Sequence, residues 1–214
     1  MKKFLFTIVA ALLAVPSFAQ LNRGSSNLST SNVYFGARLG MATATLTGDI
    51  DLGTRLGLTL GGVIGMEISD NIFMESGLYY SERGAKKGRY YEKYNTVEVP
   101  LIVKYGFTVL DGELGVLPFL GPVFSHAISG KSRNAFTGDE KVGTFDEKRN
   151  DWALMRNNMG IKLGCGVEFK ALYAELAYQF GVTNLCKDEG KLNLADEGLS
   201  SHSNALLFNV GVNF

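Results

Sequence analysis

The chain has little of what most recognisable protein classes are built on. It carries two cysteines, four prolines, two histidines and one tryptophan in 214 residues. Two cysteines are too few for a disulfide framework. Lys plus Arg is 21 and Asp plus Glu is 21, so there is no basic excess and no electrostatic case for nucleic-acid binding. After the first 15 residues no apolar run approaches the ~20 residues a membrane-spanning helix needs. If the chain enters a membrane, it does so as strands. What it has in quantity is glycine, 26 residues, and hydrophobic residues, 46%.

The first residues give the compartment. Lys2 and Lys3 precede an apolar stretch from Phe4 to Val15, followed by Pro16, Ser17 and Ala19. That order is expected of a secretory signal peptide spanning 1–19. Residues 20–32, QLNRGSSNLSTSN, are rich in Ser and Asn and read as a flexible periplasmic leader. No cysteine lies near the expected cleavage point, which argues against a lipid anchor. Losing Lys2 and Lys3 leaves the mature chain slightly acidic.

From residue 33 onward the dominant signal is period-2 alternation, the mark of strands with one apolar and one polar face. Val33, Phe35, Ala37, Leu39 and Met41 alternate with Tyr34, Gly36, Arg38 and Gly40. Leu56 to Ile68 alternate with Arg55, Gly57, Thr59, Gly61, Gly65 and Glu67. Further strands set Met74, Leu78 and Tyr80 against Glu75, Gly77 and Tyr79, and Val97 to Tyr105 against Glu98 and Lys104. A segment from Val116 to Ile128 holds Pro118 and Pro122 and has ambiguous parity. Met159 to Phe169 oppose Arg156, Lys162 and Glu168, and Leu172 to Val182 oppose Tyr173, Glu175 and Gln179. The last segment, ALLFNVGVNF, puts Leu206, Phe208, Val210, Val212 and Phe214 on one face.

Eight such strands of about 10–13 residues suit tilted bilayer crossings. A strand in lipid must satisfy its backbone internally, so the sheet must close. The expected fold is all-β, an eight-stranded antiparallel up-and-down transmembrane β-barrel over 33–214. Alternate connections are short (near 69–71, 110–113 and 170–171) and the others long (43–54, 83–95, 129–154 and 184–204). That asymmetry predicts periplasmic turns, outer loops and both termini in the periplasm of an outer-membrane protein. Tyr94, Tyr105, Phe107, Phe169 and Phe214 are expected to form interfacial girdles. A soluble lipocalin-like barrel is the rival, with the apolar face turned inward to hold a ligand.

The polar face carries Arg38, Arg55, Lys104, Arg156 and Lys162 together with Glu67, Glu75, Glu98, Glu168 and Glu175. An eight-stranded barrel has room only for side chains inside, so these ten residues are expected to form an ion-pair network filling the lumen. A selectivity filter for small solutes is the alternative. Arg38, Glu75 and Glu175 come from strands running the same way and are expected in one layer. The segment Glu82 to Asn95 holds five basic residues against two acidic ones, with Tyr90, Tyr91 and Tyr94 among them. Lys86, Lys87 and Arg89 are its expected contacts with lipopolysaccharide phosphates, set against a solvated hairpin tip.

VEVPLIVKYGF (97–107), LPFLGPVFSHAIS (117–129) and LYAELAYQFGVTNL (172–185) resemble strings of the PorT-like outer-membrane β-barrel family of Bacteroidetes-type bacteria. The resemblance implies an outer-membrane barrel of the kind called porin family, whose namesake is linked to protein secretion and surface export. It also implies a terminal aromatic read by the outer-membrane assembly machinery, a position that Phe214 matches.

Catalytic chemistry is sparse. SGKS at 129–132 fails as a P-loop because position 125 is Ser where Gly is needed. Ser125 and His126 are adjacent in a strand and point to opposite faces. Asp188-Glu189-Gly190 and Asp196-Glu197-Gly198 lack EF-hand spacing, leaving divalent binding as the rival of a solvated loop. No catalytic, cofactor-binding or metal residue is assigned. The reading is a non-enzymatic barrel in contact with outer-membrane lipid and lipopolysaccharide, with a binding or envelope role for its loops; a narrow solute channel is the alternative. In this register Cys165 faces Leu176, far from Cys186, so two free thiols are expected.

Overall fold

The computed structural model describes residues 33–48, 52–87, 90–110, 113–133, 143–145, 154–186 and 200–214. The expected signal peptide and leader, the two Asp-Glu-Gly strings and Arg89 lie outside these residues. The strands are β1 (Val33–Gly48), β2 (Leu52–Ser69), β3 (Ile72–Lys87), β4 (Tyr90–Tyr105), β5 (Phe107–Val109), β6 (Leu114–Arg133), β7 (Asn157–Phe169), β8 (Leu172–Gly181) and β9 (Ser201–Asn213). Every neighbouring pair is antiparallel. β5 resumes β4 beyond Gly106, and both pair with β6, so β4 and β5 make one stave and the barrel has eight. Pairing of β1 with β9 and of β4 with β6 leaves no open edge. Phe35 and Phe214 exchange backbone hydrogen bonds at 3.0 and 2.8 Å, sealing the first stave to the last.

The barrel is inside-out relative to a soluble one. Leu56, Leu78, Leu120 and Leu172 are 56–62% exposed on its outer wall, while Arg38 and Lys104 are 1% exposed within. A lipocalin-like barrel would reverse that pattern, so the soluble reading is excluded. The outward apolar band runs on β1 from Phe35 to Met41, on β7 from Phe169 to Met159 and on β9 from Phe214 to Leu206. Tyr105, Phe107, Phe169 and Phe214 stand exposed at its turn-side margin. Tyr94 does not join them. It faces inward, is 6% exposed, and donates to Ser203 Oγ at 2.9 Å.

All four long connections are shorter than expected, because the strands run on into them. β3 continues to Lys87 and β4 starts at Tyr90, so most of 83–95 is strand; β1 reaches Gly48, β6 reaches Arg133 and β9 begins at Ser201. The expected alternation is lost there because the outward face turns polar once the stave has left the lipid, as with Thr43, Thr45 and Thr47, while the inward face turns apolar at Ala42, Ala44 and Leu46 and the hydrogen-bond ladder carries on. Parity on β6 was hard to read because its inner face is also apolar: Leu117, Phe119, Val123 and Ala127 point in, and Pro118, Leu120, Pro122 and Phe124 point out. The Cys165↔Leu176 register holds, and Cys165 and Cys186 are not joined in a disulfide.

Glycine on the inner wall makes room for rings. Tyr34 lies opposite Gly65 and Tyr79 opposite Gly61, and a Cβ at either glycine would run into the facing ring. The tyrosines therefore lie across the neighbouring stave.

The outward leucines predict a depth-dependent response to charge. Leu163→Arg, mid-band on β7, should lower unfolding stability in lipid vesicles by about 2–4 kcal/mol, and His126→Arg, at the loop-side margin, by about 0–1. Denaturant titration followed by heat-shifted gel migration reads both.

Candidate functional site

The inner wall alternates because the outer wall must be apolar, and a lumen this narrow buries whatever points into it. Buried charges persist only when paired and hydrogen-bonded. The structure answers with two tiers.

The turn-side tier centres on Glu75 of β3. Its Oε2 lies 2.8 Å from Lys104 Nζ and 3.5 Å from Arg38 Nη2, and accepts from Tyr34 Oη at 2.8 Å. Lys104 also donates to Tyr173 Oη at 3.0 Å, and that hydroxyl donates to Glu175 Oε2 at 3.0 Å. Glu175 Oε1 takes Lys162 Nζ and Asn209 Nδ2, both at 2.7 Å. Thr59 donates to Asn209 Oδ1 at 2.6 Å. Arg38 stacks 4.0 Å from the centre of the Tyr173 ring and donates to Asn213 Oδ1 at 2.6 Å, and Asn213 donates to Glu168 Oε2 at 2.6 Å. Side chains from β1, β2, β3, β4, β7, β8 and β9 thus meet across the axis.

The loop-side tier is smaller. Arg83 holds Glu98 through two hydrogen bonds of 2.9 Å and donates to Gln179 Oε1 at 2.8 Å. Thr96 donates to Glu98 Oε1 at 2.9 Å. Above it an apolar cap of Leu46, Ala85, Tyr94, Ala127, Leu154 and Leu185 closes the mouth, with Phe145 packed on it. Two cavities of about 10 Å³ flank the Glu98–Gln179 level, each with room for about one water.

Of the ten residues expected inside, Arg38, Glu75, Glu98, Lys104, Lys162 and Glu175 are buried in these tiers. Glu168 is half-buried at the turn-side end of the network. Arg55 and Glu67 keep inward parity without an ion pair in the tiers: Arg55 donates to the Arg83 carbonyl at 3.0 Å, and Glu67 accepts from the Asn71 amide at 3.3 Å near a turn. Arg156 lies outside the strand, exposed, donating to the Ala127 carbonyl at 3.1 Å and stacking on Phe145 at 4.6 Å. Arg83 and Glu92, read as loop residues, are buried inside. Extending the β3 phase of Glu75, Gly77 and Tyr79 by four residues would have found Arg83. Tyr34, Tyr173, Gln179 and Asn209 were not singled out, since a neutral polar residue on a polar face carries no signal of its own. Ser125 points in and His126 out, 8% exposed and exposed respectively, so they do not meet. Among the described residues no group of three or more His, Cys, Asp or Glu is placed to hold a metal ion.

The sequence matches the outer membrane protein beta-barrel domain family over residues 18–187. The chain belongs to that family. It is a small bacterial outer-membrane β-barrel protein. Among solved structures it is similar to a major outer membrane protein from Thermus thermophilus, at 13% identity over 86% of this chain and 100% of that one, with a TM-score of 0.51. It also aligns with neisserial surface protein A, 16% identical over 86% and 98% of the two chains, TM-score 0.48. The N-terminal β-barrel domain of Pseudomonas aeruginosa OprF aligns at 13% identity over 86% and 98%, TM-score 0.42. Likeness at such identities is one of fold. No curated protein matches the sequence.

The tiers rank their members. Glu75→Ala strips Arg38 and Lys104 of their shared carboxylate and should cost about 3–5 kcal/mol. Arg38→Ala should cost less, because Glu75 keeps Lys104 and Tyr34. Glu82→Ala, which breaks only the exposed 3.7 Å pair with Lys93, should cost about 0–1 kcal/mol. Thermal unfolding by gel shift ranks the three.

Proposed function

We propose that this protein is a non-enzymatic, non-conducting outer-membrane barrel that serves as a membrane-embedded platform for its outer loops, in a binding or envelope role. The observation that carries this reading is the filled lumen: opposite charges paired across the axis at two levels, under an apolar cap. An ion-selective pore is expected to show a ring of one sign. Here Lys104 and Glu75, Lys162 and Glu175, and Arg83 and Glu98 stand in contact. The two cavities at the Glu98–Gln179 level, about 10 Å³ each, have room for about one water apiece, which supports a filled lumen.

The described turns at 70–71 and 170–171 lie at the same end as Val33 and Phe214, opposite the longer connections. Short turns support a periplasmic placement of that end and of both termini. The PorT-like strings support a place in that branch of outer-membrane barrels, and with it a surface-export role. Phe214, exposed at the turn-side margin, fits the terminal aromatic that the assembly machinery reads in such barrels.

Purified protein in planar bilayers should show no steady, discrete conductance at either polarity. A reproducible open channel in the unmodified protein would refute the sealed lumen and favour a narrow solute channel.

A further inference from the structure

On the loop side, β3, β4 and β6 rise beyond the apolar band as a three-stranded wing. Its outer face is set by register. Glu82, Asn95 and Ser129 form the first row above the band, with Asn95 donating to Ser129 at 3.1 Å. The next row is Gly84, Lys93 and Lys131, and the one beyond it Lys86, Tyr91 and Arg133. Among the described residues, four cations and one carboxylate, Glu82, thus share this patch of wall. Lys93 and Lys131 sit directly opposite each other across β4 and β6. Like charges so placed destabilise a sheet, and Glu82, 3.7 Å from Lys93 Nζ, offsets one of the two. Gly84, with φ of 139°, leaves the β3 side of the row without a side chain.

The row below on the same three strands is Tyr80, Val97 and His126, with Ile128 exposed at the bulge between the two rows. Lys93 is four residues from Val97, roughly 13 Å along the stave at ~3.3 Å per residue. Allowing for strand tilt, this is the headgroup level of a bilayer. Long lysine stems can also reach down toward that level.

We infer that this wing is a binding site for the phosphates of an anionic outer-leaflet lipid, with Lys93 and Lys131 clamping one phosphate between them, Lys86 and Arg133 flanking it, and the acyl chains lying on the apolar wall below. An amphiphile answers both halves of the surface: a phosphate relieves the Lys93–Lys131 opposition by charge-assisted hydrogen bonds, and the band takes the chains. Of the three contacts expected from the sequence, Lys86 belongs to this site on the outer wall, where lipid is adjacent, and Arg89 lies outside the described residues. Arg83, counted with that basic segment in the sequence, contributes nothing, because it is buried against Glu98.

The test uses the full barrel in phosphatidylcholine nanodiscs doped with diphosphoryl lipid A, with retained lipid counted by mass spectrometry after washing. Lys93→Ser with Lys131→Ser should retain roughly tenfold less lipid A than the unmodified protein. Lys170→Ser, at the opposite end, should retain as much as the unmodified protein. Dephosphorylated lipid A should be retained by none, and excess inorganic phosphate should not displace the diphosphoryl form. Equal retention by the double variant would overturn the site, and so would an equal loss with Lys170→Ser, which would mark bulk charge alone. Displacement by inorganic phosphate would overturn the assignment to lipid. Heat-shifted migration of each sample reports barrel folding separately, so a failure of the barrel reading is distinguishable from a failure of the site.

Discussion

Hydrocarbon offers a backbone no hydrogen-bonding partner, and the rest of this structure follows from that constraint. Every N–H and C=O in the band must find its partner on a neighbouring strand, so the sheet closes: β1 on β9, β4 on β6. Closure with eight staves makes a narrow tube. A narrow tube walled outside by leucine, isoleucine and phenylalanine must place every second residue in a space with almost no water. The buried charge network is thus a consequence of the wall. Charges that enter such a space need counter-charges at contact distance, and seven of the nine strands contribute side chains to meet that need in the turn-side tier alone.

The network is built around two carboxylates. Glu75 gathers Arg38, Lys104 and Tyr34, and Glu175 gathers Lys162, Asn209 and Tyr173. Tyr173 joins the two, accepting from Lys104 and donating to Glu175. Such a hub spreads charge over several donors. The inner glycines belong to the same solution: Gly61 and Gly65 leave room for the rings of Tyr79 and Tyr34, which carry polar ends into the lumen while covering backbone.

Above the band the constraint relaxes. Strands continue because the ladder is still favourable, but their outward residues become Thr, Asn, Lys and Arg. The membrane therefore ends within the barrel wall, and the wing of β3, β4 and β6 extends beyond that boundary. Hydrophobic contrast alone locates strands only where lipid supplies the contrast, which is why 83–95 reads as loop and folds mostly as strand.

The alternation determined a good deal by itself: strand number, which residues face lipid, the closure that lipid demands, and six of the buried charges. That information is local, since period-2 spacing and the need for backbone pairing are properties of a chain segment in its solvent. Partners are not local. That Arg83 meets Glu98, that Glu75 rather than Arg38 is the hub, that Arg156 lies outside the tiers, and that Lys93 faces Lys131 across two strands all depend on stagger between staves. Stagger is set by bulges, such as the shift between Asn95 and Thr96, and by how rings pack on glycines across the wall. Only the closed tertiary structure decides these, because sliding one stave by two residues would keep every side chain on its own face and change every pair.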